Sequence, residues 1–518
     1  MYLQSFFNEK NDRLLHAVNA REYVRKSRWL KDSFLQRALV ADILLWIKKF
    51  LLILTENAVG SSLYVENEWR ELAGIHPGIR NLILRLLTKR FIISWKKFPA
   101  PVDQPRIAYY GVRLGEIKSP SGKSLVLQGS VGNGVGINAD VALTRAIAES
   151  FERYSLSVWN PKSIVHSSFE ELKSKGAVNP KKFSFFSEKQ HARALGGQSG
   201  ASEHQRFGWS SAISFVDEKH CFVPAQLAYI FYKEEFKEEP LFWDTTTNGA
   251  AAGRSFEEAA YRAICEAIER DAFLIFWLNS VAPPKIKLSS IDIPRARAMI
   301  TEIERYRLDL HLLDITTDIA VPTFAAVLID RLGDVSVSVS LAADLSPRSS
   351  IEKLIPEAVK FLYTSPEYGT RKFLTVEKKY PHIDNVEERR LLWSAQKMIP
   401  YIDFFTKGIT STFSDTLLKH QLSEKQSSKP LMRRLNFLRE ILRSKNYDCY
   451  LVDVTHPLAR EEGLTVVRAI IPQLMPMYFD EKRKYLGVER LYSTLPKVGY
   501  PDAHSTEDTL NPIPHPFA

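Results

Sequence analysis

The sequence predicts an α+β protein: a basic, mostly helical first hundred residues, then a long segment in which helices and strands mix. Three observations carry this. Two ten-residue blocks, Thr144–Arg153 (TRAIAESFER) and Tyr261–Arg270 (YRAICEAIER), repeat Arg, Ala, Ile, Glu, Glu and Arg at matching places, with the three-and-four apolar spacing of a helix. From about Ile107 onward, short runs rich in β-branched and aromatic residues alternate with such helical stretches. Between the two textures stands the proline-containing break Phe98-Pro-Ala-Pro101.

Taken in order, residues 1–100 hold 17 Lys and Arg against 9 Asp and Glu, a net of +8 out of +10 for the chain. A basic stretch of this kind is usually a solvated face but can dock an acidic partner. Ala38–Leu54 is the most apolar stretch; Asp42, Lys48 and Lys49 interrupt it, so it reads as a buried helix rather than a membrane span. Leu63–Ile93, with a Gly74–Gly78 turn, fits a small helix-turn-helix or winged-helix module. Strands are expected at Cys221–Ile230, His311–Thr316, Thr323–Asp330 and Val335–Leu341, the last by strict alternation. The Ser- and Lys-rich tract Thr410–Pro430 is expected to be a surface loop. In the final run Asn511-Pro-Ile-Pro-His-Pro-Phe-Ala518, alternate prolines remove backbone donors and fix an extended path, so no helix or inner strand can form.

Composition narrows the class. With 45% hydrophobic and 25% charged residues, the 518-residue chain is an ordinary globular protein of two or three domains. Cys221, Cys265 and Cys449 show neither metal spacing nor a disulfide framework, which fits a reducing cytoplasm. No signal peptide opens the chain. The twelve histidines lack zinc spacing, and no basic motif interleaved with aromatics or metal finger points to nucleic acid. Gly122-Lys-Ser124 lacks the earlier glycine of a phosphate loop, with Ile117 at that place, and no G-x-S-x-G elbow occurs. Cys265 lies inside the second block and reads as a packing residue.

The chemistry therefore rests on carboxylates. Glu149 and Glu152, and Glu266 and Glu269, stand at i and i+3 and project from one face of each helix. Arg153 and Arg270 lie one turn beyond the first glutamate of each pair. Either block alone is more often a solvated salt-bridge face. Brought together, four carboxylates would repel unless cations neutralised them, and magnesium, which accepts carboxylate oxygens and bridges to phosphates, suits that place. The runs Gly129–Gly136 and Asn248–Gly253 precede the two blocks, and each either presents bare backbone to phosphate at a helix start or forms a tight turn. Ser255 and Glu258 form a helix start signal before the second block.

Together, Ala142–Ser155, Thr246–Ala259, Ala263–Phe273, Gly463–Pro472 and the proline tail resemble the YcaO family over roughly Ile107 to Ala518. The subset ending in such a tail resembles the cyclodehydratase component of thiazole and oxazole peptide maturation. The resemblance implies a YcaO-type domain with two pseudo-repeated helix and sheet halves around a nucleotide cleft, and ATP and Mg2+ as cofactors. It implies that Glu149, Glu152, Glu258, Glu266 and Glu269 hold metal and phosphates, that Arg153 and Arg270 steady them, and that Pro512, Pro514, Pro516 and Ala518 belong to a catalytic tail. The implied reaction converts Cys, Ser or Thr of a ribosomally made precursor peptide to azolines. Implied partners are that peptide and a separate leader-binding ubiquitin-activating-enzyme-like protein, with a flavin dehydrogenase able to follow and a homodimer compatible; nucleic acid and membrane are not expected. Thioamide or amidine formation on a peptide shares the ATP site and is the rival reaction; a non-catalytic scaffold is the rival outside the enzymes. Three positions depart from the family pattern: Arg145 stands where Ser is frequent, Arg254 where Asn is, and the tail ends Phe-Ala rather than Phe-Pro.

Overall fold

A computed structural model describes residues 74–101, 104–125, 131–193, 202–244, 246–333, 335–363 and 383–517. Residues Ile75–Ala518 form one compact unit. The expected helix at Ala38–Leu54 and the first part of the Leu63–Ile93 module lie outside the described residues. Within that module, helix α1 (Pro77–Thr88) starts with Pro77 at its first position, so Gly78 belongs to its first turn; strand β1 (Ile92–Lys97) follows.

Three sheets and a small hairpin make up the unit. β1 pairs with β2 (Ala108–Leu114), which pairs with β5 (Val131–Gly136); β3 (Ile117–Lys118) and β4 (Ser124–Leu125) form the hairpin. The second sheet runs β6 (Ile164–Ser167), β7 (Phe207–Ser214), β15 (Tyr450–Asp453), β16 (Thr465–Ile470), β9 (Ala250–Gly253), with β8 (Lys219–Pro224) on β7. The third runs β13 (Val337–Ala343), β12 (Thr323–Ile329), β11 (Asp309–Asp314), β10 (Lys285–Ile286), β14 (Thr410–Ser411). The mixed α+β class expected from the sequence is the one observed.

The two repeated blocks are helices α2 (Ala139–Ser157) and α3 (Phe256–Leu278), and each follows a glycine-bearing strand, β5 and β9. Their starts are near copies: Asn138 (φ −146°, ψ 170°) caps the amide of Val141, and Ser255 (φ −143°, ψ 166°) caps that of Glu258, each satisfying an orphan donor. The glycines serve packing. A Cβ on Gly132 would stand 2.1 Å from the Ala146 carbonyl oxygen, and one on Gly134 would stand 1.8 Å from that of Ala142. Only glycine lets β5 lie this close beneath α2.

Sixteen of the 23 residues of helix α3 are buried, Glu269 and Asp271 among them, and its last seven, Ala272–Leu278, are all apolar, as in a helix end enclosed by protein. It contacts β9 and β16 as well as β12 and β13, while α2 contacts β5, β2, β9 and β16. The strand pair β9–β16 is therefore common ground for both acidic helices. One core joins α3 to helix α6 (Leu431–Ser444) and the β15–β16 strands. Another joins β11–β13 to helices α4 (Pro294–Arg305) and α5 (Pro347–Lys360).

The strand expected at Val335–Leu341 is β13, and it is buried on both faces. Its serines are accommodated because Ser338 and Ser340 donate to the carbonyls of Ala358 and Leu354 on α5. The expected strand Cys221–Ile230 stops at Pro224, and Ala225–Ala228 turns into a short helix. Thr410–Pro430 is not a loop: it holds β14 and helices Phe413–Lys419 and Gln421–Ser427. Thr412 and Asp415 form a reciprocal capping box at its first helix, the local device that outweighs the polar composition.

Candidate active site

Each acidic helix carries its own ion pair. On α2, Arg153 donates to Glu149 through Nη2 (2.7 Å) and Nε (3.0 Å), while Glu149 also accepts the amide of Asn133 on β5 at 2.5 Å. On α3, Arg270 bonds Glu269, donates to Glu266 at 3.1 Å and donates through Nε to Asn248 Oδ1 at 2.8 Å. Glu269 further accepts the amide of Ala343 at the end of β13. The first helix is thus tied to its glycine strand, and the second to the third sheet.

The carboxylates feel each other across the gap. Burial raises the Glu152 carboxyl well above its ordinary value, and the charges of Glu266 and Glu149 raise it further. Burial lifts Glu266 to about 7 despite the opposing charge of Arg270, with Glu269 adding to the rise. Glu269 is raised as well, again first by burial. Four carboxylates from two helices therefore converge on one electrostatic environment, which is the arrangement the repeated blocks imply.

Between them stands Arg468, from the middle of β16, only 1% exposed. Burial lowers its guanidinium to about 10, while Glu266 and Glu152, one from each helix, hold it up. Its Nη1 donates to the Thr246 carbonyl and its Cζ lies 5.6 Å from the Trp243 ring centroid. Sequence reasoning missed this residue, although Gly463–Pro472 is among the stretches that carry the resemblance. Its only signal is a lone arginine inside an otherwise apolar strand run.

Glu258 keeps different company. It accepts the amide of Arg254 (3.0 Å) and pairs with Arg262 at 2.5 Å, eight residues and so about 12 Å along the axis from Glu266. Arg145, the departure from serine, donates to the Val135 carbonyl at 2.7 Å and lies 4.0 Å from Glu357. Among the described residues, no three acidic, His or Cys side chains already close into a metal cage. Two half-sets on facing helices still suit magnesium, which keeps several waters and binds through one or two carboxylates plus phosphate oxygens. Carboxyls raised first by burial and then by one another's charge are the observation that fits a divalent cation.

The described residues of the proline tail run to Phe517. Three consecutive carbonyls, of Ile513, Pro514 and His515, accept from Trp277 Nε1 (3.0 Å), Trp393 Nε1 (3.0 Å) and Arg389 Nη1 (3.1 Å). Arg389 is fully buried and paired with Glu481 at 2.7 Å. Pro514 and Pro516 are buried and Pro512 is exposed; Ala518 lies outside the described residues. The tail ends beside the acidic helix, with the Phe517 ring over Arg270.

Two acidic helices whose carboxylates act on each other and on the buried Arg468 suit a site for a nucleotide and a divalent cation. A family model described as a YcaO cyclodehydratase, ATP- and Mg2+-binding, matches residues 133–475. The chain belongs to the YcaO family, and ATP and Mg2+ are the cofactors of that family. Two curated relatives are uncharacterized proteins: one from the tfuA 3′ region of Rhizobium leguminosarum bv. trifolii, 28% identical over 38% of this chain and 45% of that protein, and one from Methanothermobacter thermautotrophicus, 26% identical over 53% and 67%. Among solved structures, a heterocyclase in complex with substrate and cofactor matches at TM-score 0.64 and 21% identity, covering 84% of this chain and 57% of that one. YcaO from Methanopyrus kandleri bound with AMPPCP and Mg2+ matches at TM-score 0.54 and 17% identity, covering 79% and 92%. These likenesses concern the fold, and the chain spans about half the length of the first curated relative and of the heterocyclase. Among the described residues no helix is long and apolar enough to cross a membrane.

Proposed function

We propose that this chain is an ATP-dependent peptide cyclodehydratase acting on Cys, Ser or Thr of a ribosomally made precursor peptide. The observation that carries the reading is that Glu152 and Glu266, one from each acidic helix, both act on the buried Arg468, with Phe517 of the proline tail lying over Arg270. In the proposed roles Glu149, Glu152, Glu266 and Glu269 hold Mg2+ and phosphate oxygens, Glu258 adds a carboxylate two turns upstream, and Arg153, Arg270 and Arg468 balance their charge. The side-chain thiol or hydroxyl adds to the preceding carbonyl carbon, the carbonyl oxygen takes the γ-phosphoryl group as ADP leaves, and loss of that oxygen as phosphate leaves a C=N bond, with two protons released. No side-chain nucleophile is required, because phosphoryl transfer mostly needs positioning and charge neutralisation.

The tail of Pro512, Pro514, Pro516 and Ala518 is assigned to the peptide side of the cleft, supported by its anchoring through to Phe517. The basic N-terminal segment, residues 1–100, is the proposed docking element for a separate leader-binding partner, and a flavin dehydrogenase acting afterwards would yield azoles. Three buried, unpaired cysteines suit a cytoplasmic site of action. Reconstitution with a precursor, its leader-binding partner and Mg·ATP tests the reading. One water lost per modified residue, with stoichiometric phosphate release, is expected; sulfur gain would indicate thioamide formation instead, and no Mg2+-dependent turnover would indicate a scaffold.

A further inference from the structure

Helix α5 adds a charged wall that belongs to neither repeated block. Lys360 Nζ lies 3.1 Å from Glu357 Oε2, and Glu357 Oε1 lies 4.0 Å from Arg145 Nη1 on α2. All three side chains touch solvent: Arg145 is 39% exposed, Glu357 32% and Lys360 24%, so a ligand can reach them. The trio sits beside the acidic set. Arg145 stands one turn before Glu149 on the same face of α2, and α5 packs on β5. Burial works against the charge of Lys360, while Glu357, Tyr109 and Glu149 favour it. Glu269, raised first by burial, is raised also by Glu357, so α5 fronts both acidic helices.

The repeat shows what sets Arg145 apart. Arg145 and Arg262 hold the same place in the two blocks. Each donates through Nη1 to a carbonyl ten residues earlier on its glycine-bearing strand, Val135 at 2.7 Å and Ala252 at 3.2 Å. Arg262 is then neutralised by Glu258, one turn back on α3, at 2.5 Å. The matching place before Arg145 is Val141. Among the described residues Nε and Nη2 of Arg145 therefore have no acceptor. Its one ion-pair partner, Glu357, is shared with Lys360, so two cations divide one carboxylate. A guanidinium fork with free donors and a lysine point charge together suit phosphate oxygens.

We propose that Arg145 and Lys360 bind phosphate oxygens of the nucleotide directly, and that Glu357 is their resident counter-ion, which gives way when the phosphate enters. The inference rests on the nucleotide reading of the acidic site and holds whichever reaction follows. It makes the two halves of the repeat unequal: Glu258 screens Arg262 in the second, whereas Arg145 in the first is left to meet an anion.

Calorimetric titration of the full chain with Mg·ATP, and with magnesium tripolyphosphate, which lacks base and sugar, tests it. Arg145→Met and Lys360→Met should each weaken both ligands about tenfold, the worth of one charge-assisted hydrogen bond. Glu357→Gln should tighten both about threefold, as expected on removing a part-exposed competitor, a gain that misfolding cannot produce. In a chain already carrying Arg145→Met and Lys360→Met, Glu357→Gln should gain nothing. Affinities unchanged by these substitutions, weaker binding in Glu357→Gln, or an effect on ATP that tripolyphosphate does not share would overturn the proposal. An unsubstituted chain that binds neither ligand would overturn the nucleotide reading, and this inference with it.

Discussion

Phe517 lies over the guanidinium of Arg270, with 4.2 Å between Arg270 Cζ and the ring centroid. That same guanidinium holds Glu266, Glu269 and Asn248. One side chain therefore couples the end of the proline tail to half of the carboxylate set. Deleting residues 512–518 would also orphan the buried donors of Trp277, Trp393 and Arg389, so a gentler change separates the roles. Phe517→Leu keeps an apolar group and removes the ring face, a contact of roughly 0.5–2 kcal/mol. It should lower the rate of ring formation about three- to thirtyfold while leaving Tm within about 1 °C, read by mass spectrometry and thermal melting.

Glu266→Gln removes one member of the repelling set without changing shape. Metal-dependent ATP hydrolysis should fall on the order of a thousandfold, since a metal supplies several kcal/mol of charge stabilisation to the transition state. Circular dichroism should be unchanged and Tm equal or higher. Retained hydrolysis would remove this residue from the metal set.

The raised Glu266 carboxyl gives a pH dependence of definite sign. Its value near 7 in the folded chain exceeds the ordinary 4.5, so the folded state holds the extra proton between these values. Metal-free stability should therefore fall as pH rises from 4.5 to 7. Mg2+ must displace that proton, so Mg·nucleotide affinity should weaken about tenfold per unit as pH drops below 7. Calorimetric titration at pH 6 and pH 8 checks both the slope and its flattening in Glu266→Gln.

Arg468→Met leaves Glu152 and Glu266 without their shared buried cation. Losing a buried charge that both carboxylates feel should lower Tm. Millimolar Mg2+ should restore part of the loss, because it supplies the missing positive charge. Melting curves with and without Mg2+ would show this, and a loss that Mg2+ leaves untouched would assign Arg468 to packing alone.

The acidic helices were legible because helical spacing and the i, i+3 glutamates are local properties, stated within ten residues. Arg468 was not, since its meaning comes from two helices more than three hundred and about two hundred residues earlier in the chain. The anchors of the tail, Trp277, Trp393 and Arg389, lie 121 to 236 residues before the carbonyls they hold and form no motif. The misreading of Thr410–Pro430 has a different origin: exposed helices and loops share a Ser- and Lys-rich composition, and only the Thr412–Asp415 spacing told them apart. The glycine runs were read as phosphate cradles or turns, whereas residues 132 and 134 are glycine to admit a helix.

That close seat of β5 against α2 has a mechanical corollary. Because no side chain spaces the strand from the helix, the reach of Glu149 and Glu152 toward the opposite helix is set by backbone thickness alone. A single methyl at position 134 would act as a shim, lifting the first helix and carrying Glu149 and Glu152 away from the opposite carboxylates without removing any charged group.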